Sequence, residues 1–166
     1  MPAIPIISLV GHAKVGKTTY LEKLIPELAS RGYRVAAVKH DVHDFEIDIP
    51  GKDSHRLKAA GAKIAIISSP KKLAFVRDTD HDLSLDEIRR QYVGEVDLII
   101  SEGYKRDTHP KIEIVRNEMG SALTSEKMGD LFAIASDSPL KSDAPVFDIN
   151  DIHGMADLIE DKYLKK

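Results

Sequence analysis

Gly11-His12-Ala13-Lys14-Val15-Gly16-Lys17-Thr18 is the stretch that decides how this chain folds. It fills the pattern G-x-x-x-x-G-K-[ST]. A short β-branched run, residues 4–10, precedes it, and the apolar stripe Leu21, Leu24, Ile25 and Leu28 follows it. A buried strand, a tight loop and an amphipathic helix in that order build a cradle for phosphate. Gly11 and Gly16 let the backbone turn sharply, so that successive amides converge on phosphate oxygens. The helix N-terminus adds partial positive charge. Lys17 reaches the β- and γ-phosphates, and the Thr18 hydroxyl is a Mg²⁺ ligand. The expected contact set for a purine nucleotide is Gly11, His12, Ala13, Lys14, Val15, Gly16, Lys17, Thr18 and Thr19.

Working outward, the pattern alternates strand and helix. Residues 4–10 read as a strand buried on both faces, as in a parallel sheet. Pro26 falls inside the helical stripe, where a missing donor and a ring clash predict a kink or an early end. Arg31-Gly32 is a helix stop. Residues 33–39 form the second strand, 45–49 a short extended piece, and 54–60 a short helix. Residues 63–68 and 71–77 form a hairpin with Ser69-Pro70 near its turn. Ser84 and Glu87 make a capping-box pair ahead of a helix striped by Leu85, Ile88 and Tyr92. Strands follow at 97–101, 111–116, 131–135 and 146–149, then a helix with Ile152, Met155, Ala156 and Ile159 on one face. The expected fold is α/β: one domain over residues 1–166, a mostly parallel central sheet flanked by helices, with the hairpin 63–77 inserted.

In such sheets ligands sit beyond the carboxyl ends of the strands. Asp97 precedes its strand and Glu102 follows it, roughly 17 Å apart at about 3.3 Å per residue. Glu102 therefore shares an edge with the loop and is the candidate Mg²⁺-side acid, with Asp97 a structural cap. Lys39-His40-Asp41-Val42-His43-Asp44 leaves the second strand at the same edge. It reads as a polar wall around substrate or Mg²⁺-bound water, with Asp41 its metal-side member. A transition-metal site there lacks any further cluster at standard spacing. Asp137, just after a buried strand, either accepts hydrogen bonds from a guanine edge or caps the turn before Ser138-Pro139.

Composition narrows the classes. The 166 residues include 42% apolar and 31% charged, with a formal net charge of -3. A general nucleic-acid binder carries a basic excess instead. With no cysteine, disulfides and thiolate metal sites are excluded. The longest apolar runs are strand-length, too short to span a membrane. The start Met1-Pro2-Ala3-Ile4-Pro5 lacks signal-peptide character. The expected location is cytoplasmic.

The chain resembles the molybdopterin-guanine dinucleotide biosynthesis adapter family, MobB. The likeness rests on the phosphate loop, Lys39-His40 with Asp44 beyond, and Ile49-Pro50-Gly51-Lys52-Asp53-Ser54. It continues through Ala60-Gly61-Ala62, Asp97-Leu98-Ile99-Ile100-Ser101-Glu102-Gly103-Tyr104-Lys105 and Pro110-Lys111-Ile112. It ends in Ala135-Ser136-Asp137 and Asp148-Ile149-Asn150-Asp151. The chain departs from the family at Ala13 and Lys14, where small Ser/Gly residues are common. The resemblance implies a homodimer that binds GTP and hydrolyses it weakly. Its partner is the guanylyltransferase that joins GMP to molybdopterin, with molybdopterin itself a candidate ligand. His40, Lys52, Asp53 and Lys105 would then wall the substrate or partner, and Lys17 and Glu102 would serve the slow hydrolysis.

Two other classes share this core. A small-molecule kinase needs an arginine lid, and Arg89-Arg90 and Lys105-Arg106 are the only basic pairs of interest. A metal-loading GTPase predicts metal held by His40, Asp41 and His43. Finally, the hairpin carries apolar residues on both faces. Either the following helix covers the second face, or a second copy of the chain does, making 63–77 a homodimer interface.

Overall fold

The computed structural model describes residues 3–41, 45, 47–119, 123–124 and 130–165. His43 and Asp44 of the polar cluster, and Glu46 of the expected extended piece, lie outside the described residues. The chain divides into two compact units, residues 41–83 and the remainder.

The larger unit is a six-stranded sheet in the order β2-β5-β1-β6-β7-β8. The strands are β1 (Ile6–Gly11), β2 (Val35–Lys39), β5 (Leu98–Glu102), β6 (Lys111–Val115), β7 (Leu131–Ser136) and β8 (Val146–Asp148). Every neighbouring pair in it is parallel. All six residues of β1 are buried, which explains why its sequence does not alternate. Ile7 and Leu9 pack on one face with Leu98 and Ile100. Ile6 and Ile99 pack on the other, with Leu85. The helices α1 (Lys17–Ser30) and α4 (Ile152–Ile159) cover the first face, and α3 (Leu85–Tyr92) the second. The capping box at Ser84 and Glu87 is formed as expected.

Of the two outcomes expected at Pro26, the early end does not occur: α1 runs on to Ser30. The missing donor and the ring both act on the carbonyl four residues back, here that of solvent-exposed Glu22. Leu24 and Leu28, fully buried on either side, hold the helix to the sheet across the gap. Its stop comes at Arg31-Gly32, with Gly32 at φ 92°.

The smaller unit holds α2 (Asp53–Ala59) packed on β3 (Ile64–Ser69), which pairs antiparallel with β4 (Lys72–Arg77). Only Ala65 of this hairpin is fully buried. Ile64, Ile66, Ile67, Leu73 and Phe75 are each 45–67% exposed.

Candidate functional site

The parallel register brings the strand ends to one edge: Gly11 lies level with Ile114, and Lys39 with Glu102. Between β1 and α1 the loop closes tightly. Gly11 has φ 140°, and a β-carbon there would stand 2.6 Å from the Ile114 carbonyl oxygen; no other residue fits. Val15 is buried, while His12, Ala13 and Lys14 are exposed. Lys14 itself sits in the left-handed region at φ 63°. No side chain caps the first turn of α1, and no acid stands in it. Its amides are therefore left for an anion.

Lys17 curls back over the loop, its Nζ donating to His12 O at 2.8 Å and to Gly11 O at 3.3 Å. Partial burial pushes its pKa below the usual lysine value, the Glu102 charge opposes that, and Lys105 and Lys39 push it further down. A cluster of positive charge thus gathers where phosphate would add the missing negative charge.

From the first turn of α1, Thr18 Oγ1 donates to Glu102 Oε2 on β5 at 2.7 Å, and Lys39 Nζ lies 4.0 Å from Glu102 Oε1. A hydroxyl and a carboxylate side by side are a hard oxygen donor set, suited to Mg²⁺. Asp97 sits at the other end of β5, where its carboxylate accepts from the Arg34 amide and guanidinium. Those bonds hold its pKa down to about 2.

The turn after β5 is shaped by Gly103 at φ 103°, where a β-carbon would meet the His40 β-carbon at 3.1 Å. His40 donates its amide to the Glu102 carbonyl (2.9 Å) and stacks its ring on Tyr104 at 4.3 Å between centroids. Lys105 follows in an exposed turn, and Thr19 is exposed in the first turn of α1. Beside Thr18 and Glu102 runs a groove of about 390 Å³ whose floor is Leu21, Ile25, Pro26 and Val38. Its apolar character was not legible beforehand, because it needs α1 and β2 side by side.

At the far side of β1, Asp137 follows β7. Its Oδ1 accepts the Asn117 amide at 2.8 Å, and its Oδ2 lies 3.6 Å from Arg116 Nη1. Arg116 also donates Nε–H to the Val15 carbonyl at 3.0 Å. Sequence reading passed over this arginine, since nothing in its immediate neighbours marks it.

Asp41, Lys52 and Asp53 belong to the smaller unit. Lys52 precedes α2, and Asp53 lies 3.5 Å from Arg56 in its first turn. That unit has its own cavity of about 870 Å³, lined by Asp41, Asp48, His55, Lys58, Asp78 and others. Among the described residues no group of three or more His, Asp or Glu could hold a metal ion.

The family model for MobB, molybdopterin guanine dinucleotide synthesis protein B, matches residues 6–137, from the first residue of β1 to Asp137. The chain belongs to the MobB family. It is 40% identical over 158 residues to the molybdopterin-guanine dinucleotide biosynthesis adapter protein of Haemophilus influenzae, covering 95% of this chain and 88% of that one. The protein of the same name from Escherichia coli is 38% identical over 161 residues, with 94% and 91% covered. Among solved structures, a molybdopterin-guanine biosynthesis protein B superposes with a TM-score of 0.77 at 30% identity, covering 94% and 97%. Bacillus subtilis MobB gives 0.78 at 26% identity, covering 98% and 99%. The MobB fold therefore covers 94–98% of the chain.

Proposed function

We propose that this chain is a GTP- and Mg²⁺-binding adapter of molybdopterin-guanine dinucleotide assembly. It acts beside the guanylyltransferase that attaches GMP to molybdopterin. The observation that carries the reading is the contact of Thr18 with Glu102 directly beneath a loop whose lysine is held by its own carbonyls. Gly11 to Gly16 would present amides to the phosphates, Lys17 would leave its carbonyls for the β- and γ-oxygens, and Thr18 and Glu102 would hold Mg²⁺. The metal would screen phosphate charge. Asp137 would read guanine, and His40 and Lys105 would wall the substrate or partner; in the smaller unit Lys52 and Asp53 would contact the partner and Asp41 is the metal-side candidate. The names of the relatives support the adapter role.

The same reading makes the protein a homodimer through the hairpin, given its exposed apolar residues. It also makes it cytoplasmic; no helix among the described residues is long and apolar enough to cross a membrane. A kinase reading is weaker. Arg89, half of one basic pair, is already bonded to the Ile4 carbonyl and Asp86.

Lys17→Ala tests the reading. Losing a charge-assisted contact of about 1.5–3 kcal/mol should weaken GTP at least about tenfold, while the thermal melt stays within a few degrees of wild type. GTP titration at wild-type affinity in the variant would remove the loop from the nucleotide site.

A further inference from the structure

We infer that Arg116 is a positioning residue that couples the phosphate loop to the base-end carboxylate, so that the two halves of the nucleotide site are set together. The inference rests on the reading above, in which the loop binds phosphate and Asp137 faces the base. It comes from one side chain touching both. Arg116 follows β6, which lies between β1 and β7 in the sheet. Its Nε–H meets the Val15 carbonyl at 3.0 Å. Nη1 lies 3.6 Å from Asp137 Oδ2, and Nη2 stands 3.6 Å from where a Gly16 β-carbon would be.

Peptide planarity gives the contact its consequence. In a trans peptide the carbonyl of one residue and the N–H of the next point in opposite directions. Fixing the Val15 carbonyl against Arg116 therefore aims the Gly16 N–H away from the arginine, into the loop, where a phosphate oxygen needs a donor. The guanidinium is a rigid planar fork, so its angle on Val15 depends on what holds its other end. That holder is Asp137, itself fixed by the Asn117 amide at 2.8 Å. The pair is partly sheltered, with side chains 37% and 29% exposed, so solvent screens it less than a fully exposed pair. A group at the base end thereby governs the order of an amide at the phosphate end. By linkage the influence runs equally in both directions.

A ligand with no base isolates this coupling. Inorganic tripolyphosphate with Mg²⁺ is titrated against wild type, Arg116→Ala, Arg116→Lys, Asp137→Asn and the double variant Arg116→Ala/Asp137→Asn. Arg116→Ala should weaken tripolyphosphate at least about tenfold. Arg116→Lys should restore less than half of the loss on a logarithmic scale, because a lysine supplies the charge without the fork. Asp137→Asn should weaken this baseless ligand about threefold or more when Arg116 is present, and leave it unchanged in the Arg116→Ala background. Equal effects of Asp137→Asn in both backgrounds, or full rescue by lysine, overturn the coupling while leaving nucleotide binding intact. Absence of Lys17-dependent binding of both GTP and tripolyphosphate by the wild type removes the underlying reading, and this inference with it. Should Arg116→Ala fail to fold, Arg116→Lys and Arg116→Lys/Asp137→Asn run the same cycle.

Discussion

Glu102 and Asp97 bound the same strand, yet they do different work because one end of β5 meets the loop and the other meets Arg34. Asp97 accepts from the Arg34 guanidinium and amide, which lower its pKa to about 2, from about 3.9 in an unfolded chain. A carboxylate lowered on folding stabilises the native state above its unfolded pKa, and that contribution fades as pH falls through its folded one. Melts of the wild type should therefore lose this contribution between about pH 4 and about pH 2. Asp97→Asn should lack that step and leave Mg²⁺-dependent GTP binding untouched. Glu102→Gln should weaken Mg²⁺-linked GTP binding and keep the acid step that Asp97 supplies. A Mg²⁺ requirement that followed Asp97 would place the metal at the Arg34 end of β5 instead. Much of this residue-level pattern was legible beforehand, because strand direction alone separates the two acids. Arg116 was not, since its partners Val15 and Asp137 are distant in sequence and meet only through the β1-β6-β7 order.

At the scale of elements, one arginine ties together the two helices over one face. Arg31, at the end of α1, donates to Glu27 at 2.8 Å, to Asp157 at 2.6 Å and to Glu160 at 2.9 Å. Glu160 opens the π-helical turn Glu160–Leu164 that extends α4. These bonds keep the Glu27 and Glu160 carboxylates below their ordinary range, with Tyr33 donating to Glu160 as well. The side chain is only 19% exposed, so the cluster is better sheltered than a typical surface pair. Arg31→Ala should lower the melting temperature by about 2–6 °C, with GTP affinity unchanged, since the clamp is remote from the loop. Arg31→Lys should recover under half of that loss because it cannot serve three carboxylates in one plane. A melt unaffected by either change would mean that apolar packing and the His153–Glu27 contact hold α1 to α4 without the arginine.

For the whole molecule, the open question is what covers the smaller unit. Its hairpin presents Ile66, Ile67 and Leu73 at 54–67% exposure, a large apolar surface for one chain to leave in water. The alternative weighed from sequence, a helix closing over the second face, would bury these side chains. Phe75→Glu should therefore yield monomers in sedimentation velocity, with GTP binding retained within about threefold and the melt of the larger unit largely kept. Global unfolding would indicate that Phe75 is a core residue, and a stable dimer would take the hairpin out of the interface.

The sequence by itself determined the tight glycine loop between β1 and α1, the strand–helix alternation, the hairpin and the capping box at Ser84. Each depends on neighbours within one element or one turn, where backbone geometry and side-chain period leave few choices. It also supported membership of the MobB family through motifs spread along the chain. Tertiary structure alone decided the order β2-β5-β1-β6-β7-β8, and with it the meeting of Thr18 with Glu102 and of Arg116 with Val15 and Asp137. It decided the fate of Pro26 too, since burial of Leu24 and Leu28 against the sheet outweighs one lost helical bond, a contribution that no local propensity contains.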